Sequence, residues 1–200
     1  MQHALDQFRQ NLERVRNMRA IYLSMSTMVT KALDLSDLLR AEIVMVVSAL
    51  DHYIHELSRL GMVQAYEGKR NPTPAFLKFG ISLESTLLIK SGTSGTAWLD
   101  TEIRTKHSFL SFQHPDKIAD AVRLFSDIEL WNLVSQELND KPQNVKTRIN
   151  LLVDRRNKIA HEADIDPSYP GSRWPIDSKM VEEAIDFVST VCEAIHRVAA

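Results

Sequence analysis

Apolar residues near the start of the chain recur at steps of three and four: Leu5, Phe8, Leu12, Val15, Met18, Tyr22, Met25 and Val29. That spacing follows the turn of an α-helix and predicts one long helix over about residues 2–30, with Arg9, Arg14, Arg16 and Arg19 between the stripe positions. A second stripe, Leu39, Ile43, Val46, Leu50, Tyr53 or Ile54, and Leu57, predicts a helix capped by Asp34 or Ser36 that stops near Gly61 or runs on to Gly68. Lys69 to Pro74 breaks the pattern. Pro74 can open a short helix through Phe79, and residues 82–89 form another. Ser91-Gly92-Thr93-Ser94-Gly95 reads as a connector, because it lacks the Lys-Ser/Thr of a phosphate-binding loop and no strand precedes it. Trp98, Ile103, Phe109 and Phe112 predict a helix over about 97–112. Pro115 can start the next, which carries Ile118, Ala121, Val122 and Phe125. Leu130, Trp131, Val134 and Leu138 mark a further helix. The one after it starts near Pro142, carries Val145, Ile149, Leu152 and Ile159, and stops at Asp164-Ile165-Asp166-Pro167. After an irregular loop, Asp177 caps the last helix, with Ile176 and Val181 as a hydrophobic staple and Val181, Ile185, Val188, Cys192 and Ile195 as its stripe. The fold class is all-α, a helical bundle.

Composition narrows this picture. Two hundred residues with 6 glycines and 7 prolines suit long helices in one domain, and residues 1–35 read as a helical extension of a main domain over 36–200. A net charge of −2 gives no global attraction to nucleic acid or membrane, so any anion site is local. Cys192, the single cysteine, excludes an intrachain disulfide and a cysteine-based zinc site. It shares the stripe of the last helix and fits a reducing cytoplasm. The opening Met1-Gln2-His3-Ala4-Leu5-Asp6-Gln7 is not a secretory signal, and no apolar run is long enough to span a bilayer. The expected location is cytoplasmic.

The local charge lies between Lys141 and His161. Six cations, Lys141, Lys146, Arg148, Arg155, Arg156 and Lys158, stand against one acid, Asp154. A basic helix in a slightly acidic chain is a patch for phosphate, and cations near a helix C-terminus also complement its dipole. Arg156 follows Ile149 and Leu152 on the core-facing side, an expensive position for a guanidinium without an anion or a cleft. Arg155 falls off that side and is expected in solvent. Asn157 and His161 share another face. Arg156 and His161 lie about 140° apart on an ideal helix, so they converge only if the helix loosens near its end, or if neighbouring helices or a second subunit complete a cleft. On the second helix, Ser48, Asp51, His52, His55 and Glu56 have spacings that let several share one cleft. Asp51 can orient Arg156 or His161 as a carboxylate behind the site. His52, His55 and Glu56 have metal-ligand spacing, but no complete set is visible. His3, His107, His114 and His196 read as surface or capping residues.

Three stretches resemble one known family. Arg156-Asn157-Lys158-Ile159-Ala160-His161 resembles the arginine, four-to-six residues, histidine motif of HEPN (higher eukaryotes and prokaryotes nucleotide-binding) domains, whose pattern has a polar residue straight after the arginine. Ser48 to Glu56 and Arg173-Trp174-Pro175-Ile176-Asp177 resemble the RiboL-PSP-HEPN branch. The resemblance covers roughly residues 36–198, with the first helix as an added element. It implies a HEPN-type helical bundle that dimerises through the motif helices. Many such domains are metal-independent endoribonucleases of toxin–antitoxin or phage-defence systems, and others are non-catalytic nucleotide- or RNA-binding scaffolds.

The function expected on this basis is a hydrolase cleaving RNA by 2′-OH attack, without metal or cofactor. Arg156, Asn157 and His161 are the catalytic set, supported by Ser48, Asp51, His55 and Glu56. Lys146, Arg148, Arg155 and Lys158 bind RNA. The expected partners are RNA, a second copy of the chain, and an antitoxin or defence-system protein, with no membrane. Two other readings use the same residues: a binding module without turnover, and a structural protein with Arg156 buried against Asp51 or Glu56.

Overall fold

The computed structural model describes residues 1–30, 33–92, 95–169 and 171–200. Thr93 and Ser94 of the glycine-bearing connector and Pro170 of the loop before the last helix lie outside the described residues. In chain order the helices are α1 (Gln2–Met28), α2 (Ser36–Tyr66), α3 (Pro74–Leu77), α4 (Leu83–Lys90), α5 (Ala97–His107), α6 (Pro115–Arg123), α7 (Leu130–Glu137), α8 (Pro142–Glu162) and α9 (Ser178–Ala199). Among the described residues the only pairing of extended backbone is an isolated antiparallel bridge between Ile165 and Arg173.

The spine is α2. Its predicted stripe from Leu39 to Leu57 is buried, and it packs on α1, α5, α6, α8 and α9. One continuous core joins α1, α2, α6, α7, α8 and α9, while Met62 of α2 and Trp98, Leu99 and Ile103 of α5 form a smaller, separate cluster. The stripe of α1 is buried only as far as Val15. Met18, Tyr22 and Met25 are half-buried, because the second half of α1 extends past the core. There Arg19 reaches Glu182 at 2.9 Å and Glu42 at 3.7 Å. Cys192 is buried on α9.

Several boundaries differ from the sequence pattern for identifiable reasons. Gly61 does not end α2; it sits inside the helix where the Phe125 side chain comes against the backbone. The helix stops at Tyr66, just before Gly68, whose φ of 73° turns the chain. Neither Asp34 nor Ser36 is the N-cap residue of α2, a place taken by Leu35; Asp34 Oδ1 instead accepts from the Ser36 amide at 2.8 Å. Helix α5 ends at His107 rather than 112. Residues 108–114 leave the helical path because the Phe112 amide and the Gln113 side chain donate to Asp51 on α2, at 2.6 and 3.1 Å. Asp177 caps α9 as expected, accepting from the Met180 amide at 2.8 Å.

Gly61→Ala tests the close approach at α2. Alanine is the better helix former by about 1 kcal/mol, yet its Cβ would lie 2.3 Å from Phe125 Cγ and 2.7 Å from Phe125 Cβ, so ring rotation alone does not relieve the clash. The expected result in chemical denaturation is a net loss of about 1–3 kcal/mol.

Candidate functional site

Helix α8 begins with Pro142 in its first turn and buries Val145, Ile149 and Val153. It stays regular through Glu162, so it does not loosen to bring Arg156 and His161 together within one protomer. Arg156 is half-buried. Its Nη1 donates to Asn157 Oδ1 at 2.9 Å, while its Nε is buried without a hydrogen-bond partner. Arg156 makes no ion pair among the described residues. His161 is exposed in the last turn of α8, with no hydrogen bond or ion pair among the described residues.

The helix end is fastened by Asp164. Ala163 and Asp164 both adopt left-handed backbone, with φ of 51° and 59°, a costly arrangement for residues other than glycine. The Asp164 carboxylate is fully buried. One oxygen accepts from Arg40 Nε on α2 at 2.7 Å and from Arg155 Nη2 at 2.8 Å. Both arginines also donate to the Trp174 carbonyl, at 2.9 and 3.1 Å, and Arg155 to the Pro175 carbonyl at 3.1 Å. The Asp164 amide returns to the Lys158 carbonyl, and the Trp174 amide to the Asp164 carbonyl, each at 2.9 Å. This corrects the expectation that Arg155 lies in solvent for RNA: its guanidinium is committed to Asp164. Burial lowers the Arg155 pKa, with Asp164 opposing. Of the other cations, Lys146 lies 3.6 Å from Asp116, Arg148 stacks 3.9 Å over the Phe187 ring and Lys158 lies 4.8 Å over Trp174.

The second block lies further along α2. Arg40 precedes Asp51 by roughly 16 Å of helix. Ser48 is exposed. Asp51 holds the α5–α6 linker and lies 3.7 Å from His55. Glu56 accepts from Arg59 at 2.7 Å and Arg104 at 3.1 Å. Burial opposes ionisation of Glu56, but these guanidinium groups outweigh it and hold the carboxyl below its usual range. The hydrogen bonds of Asp51 and Glu56 therefore go to groups other than Arg156 and His161. The two blocks are linked instead through residues 112–114, because His114 Nδ1 pairs with Asn150 Oδ1 on α8 at 3.1 Å.

A cavity of about 340 Å³ is lined in part by His52, His55, Glu56 and His107. Among the described residues, no three such groups meet as metal ligands. His107, read from the sequence as a surface or capping residue, ends α5 but is only 4 % exposed. Its ring packs edge-on against Phe112 and Phe79, and burial, with His55 nearby, pushes its pKa down to about 4. His196 is half-buried, 3.2 Å from the Tyr53 hydroxyl.

A family model described as RiboL-PSP-HEPN matches residues 9–200. The chain belongs to the RiboL-PSP-HEPN family. HEPN domains are all-α, are generally associated with RNA cleavage, and commonly bind RNA and dimerise. No curated protein and no solved structure matches this HEPN chain. Among the described residues, no helix is long and apolar enough to cross a membrane. The match starts inside α1, whose first turns share the HEPN core. Sequence reasoning missed Arg40, Asp164, Gln113 and His107. The criterion that singled out Arg156 finds Arg40 too, since Arg40, Ile43, Val47, Leu50 and Ile54 keep helical spacing.

Asp164→Ala leaves Arg40 and Arg155 without their carboxylate and should cost about 3–5 kcal/mol, read by chemical denaturation. His107 makes a pH prediction. Its folded pKa of about 4 lies below the ordinary 6.5, so the unfolded chain takes up the proton first. Stability contributed by the neutral ring is present above about 6.5 and is lost as the pH falls towards 4. Denaturation midpoints across that window should drop in the native protein and flatten in His107→Phe; parallel curves would refute the assignment.

Proposed function

We propose that this HEPN domain is a metal-independent endoribonuclease. The observation that carries the reading is Arg156: half-buried, with a buried Nε that among the described residues has no partner and no acid to neutralise it, on the most basic helix of a slightly acidic chain. A guanidinium in that state suits a phosphate oxygen, which supplies charge and fork geometry together. Asn157 holds Nη1 and thereby orients the group.

In the proposed reaction the scissile phosphate sits at Arg156. An imidazole removes the 2′-OH proton, the 2′-oxygen bonds to phosphorus, and the P–O5′ bond breaks as a second proton reaches the leaving oxygen. Arg156 stabilises the added charge on the phosphorane. The products are a 2′,3′-cyclic phosphate and a 5′-hydroxyl, and DNA is resistant because it lacks the nucleophile. Since α8 is regular, one protomer does not present Arg156 and His161 on one face. A dimer with the motif helices opposed lets His161 of each subunit serve the shared cleft, one as base and one as acid. Ser48 on α2, with Lys158 and Arg148 on α8, would line the RNA path. A cleaving enzyme of this kind acts as a toxin or phage-defence effector held by an antitoxin or defence-system partner in the cytoplasm.

Labelled RNA incubated with the purified protein in EDTA should yield cyclic-phosphate ends. Arg156→Ala and His161→Ala should each lower the rate by about 100-fold or more, and His161→Ala should relieve toxicity on expression in bacteria. Equal cleavage by all three proteins would identify a contaminant. RNA binding without cut ends would establish the scaffold reading instead.

A further inference from the structure

Helix α4 is built inside out. Of its eight residues only Ser85 is buried. Leu83 is 82 % exposed and Leu87 65 %, with Leu88 and Ile89 also outward. A surface helix ordinarily turns its apolar stripe inward, and one this short is not stable without such packing. Here the attachment is polar. The buried Glu102 carboxylate on α5 accepts from the Ser82 amide at 3.0 Å, from Ser85 Oγ at 2.6 Å and from the Ser82 hydroxyl. Leu77 and Ile81, also exposed, extend the apolar surface back towards α3. Exposed apolar side chains gathered on one short arm point to a binding surface.

Between α4 and α5 lies a cavity of about 590 Å³, with Leu88, Ala97 and Trp98 on its apolar side and Glu84, Glu102 and Lys106 among its polar lining. Trp98 Nε1 is buried without a hydrogen-bond partner among the described residues. The arm itself is cationic: from Leu77 to Lys90 the charged residues are Lys78, Lys90 and one acid, Glu84. Neither lysine makes an ion pair among the described residues, and Lys106 of α5 lies 5.8 Å over the Phe79 ring.

We propose that the α3–α4 arm docks an amphipathic helix of a partner protein. Its apolar side chains cover Leu83 and Leu87, and its acidic side chains meet Lys78, Lys90 and Lys106. An anionic lipid surface fits less well, since Glu84 would face the headgroups and acyl chains offer Trp98 Nε1 no acceptor. A second copy would bring two cationic rims together. The surface is on different elements from α8, so it stands or falls separately from the nuclease reading.

The test uses the full chain and two synthetic peptides of one helical pattern, with leucine at i, i+3, i+4 and i+7 and either glutamate or lysine along the rim. Titration calorimetry should show the glutamate peptide binding about tenfold tighter or more, with an affinity that falls as salt is added. Leu83→Asp combined with Leu87→Asp should abolish binding and leave the circular dichroism and Tm unchanged, because both side chains are in solvent. Lys90→Glu should narrow or reverse the peptide preference without touching the apolar contact. Equal affinity for the two peptides, or none for either, overturns the proposal. So does binding to phosphatidylserine vesicles in their place, or self-association in sedimentation that Leu83→Asp removes.

Discussion

The Asp164 carboxylate is removed from water and lies between two guanidinium groups, Arg40 from α2 and Arg155 from α8. A buried carboxylate without such partners would be protonated or expelled. Two cations and the carbonyls that share their remaining N–H groups keep it in place. That contact supports two successive left-handed residues at the end of α8. It also draws residues 173–175 back across the helix and sets where the last turn, with His161, finishes. Arg155 and Arg156 are adjacent in sequence yet about 100° apart around the helix. Once Arg155 is turned to Asp164, Arg156 faces elsewhere, and among the described residues no acid pairs with it there.

Several other sheltered charges are held in ion pairs. Glu56, Arg59, Asp100 and Arg104 form a closed group of alternating sign. Glu42, fully buried, has Arg19 at 3.7 Å, and its carboxyl is raised by burial more than Arg19 lowers it. Arg156 differs from these pairs: it is a cation partly withdrawn from water, hydrogen-bonded by a neutral amide and without an ion pair among the described residues. The basic character of α8 does not carry the same weight, since Lys146 and Arg148 already have intramolecular partners.

The α4 arm presents the reverse problem. There the protein satisfies a buried carboxylate with serine hydroxyls and leaves leucines in water. Hydrophobic burial is the main stabilising term for most helices, so a helix anchored by its polar face has surrendered that term within its own chain. The same arithmetic that makes α2 a spine makes α4 an available surface.

Helical periodicity was readable throughout, because burial selects apolar residues at the helix repeat and leaves that record in local order. The all-α class, the stripes of α2 and α9, the Asp177 cap and the motif residues on α8 all follow from spacing alone. The family resemblance rests on short contiguous blocks and was legible for the same reason. What the sequence did not contain is any record of distance across the fold. Gly61 looked like a helix end because its closeness to Phe125 is non-local. Arg155 looked solvated because Asp164 becomes its partner only after the chain reverses at Ala163. Asp51 looked like support for the motif until the α5–α6 linker took its oxygens. Local pattern determined which residues are helical and which faces are apolar; tertiary contact alone decided which charges are paired, Arg155 with Asp164 and Arg156 with no acid among the described residues.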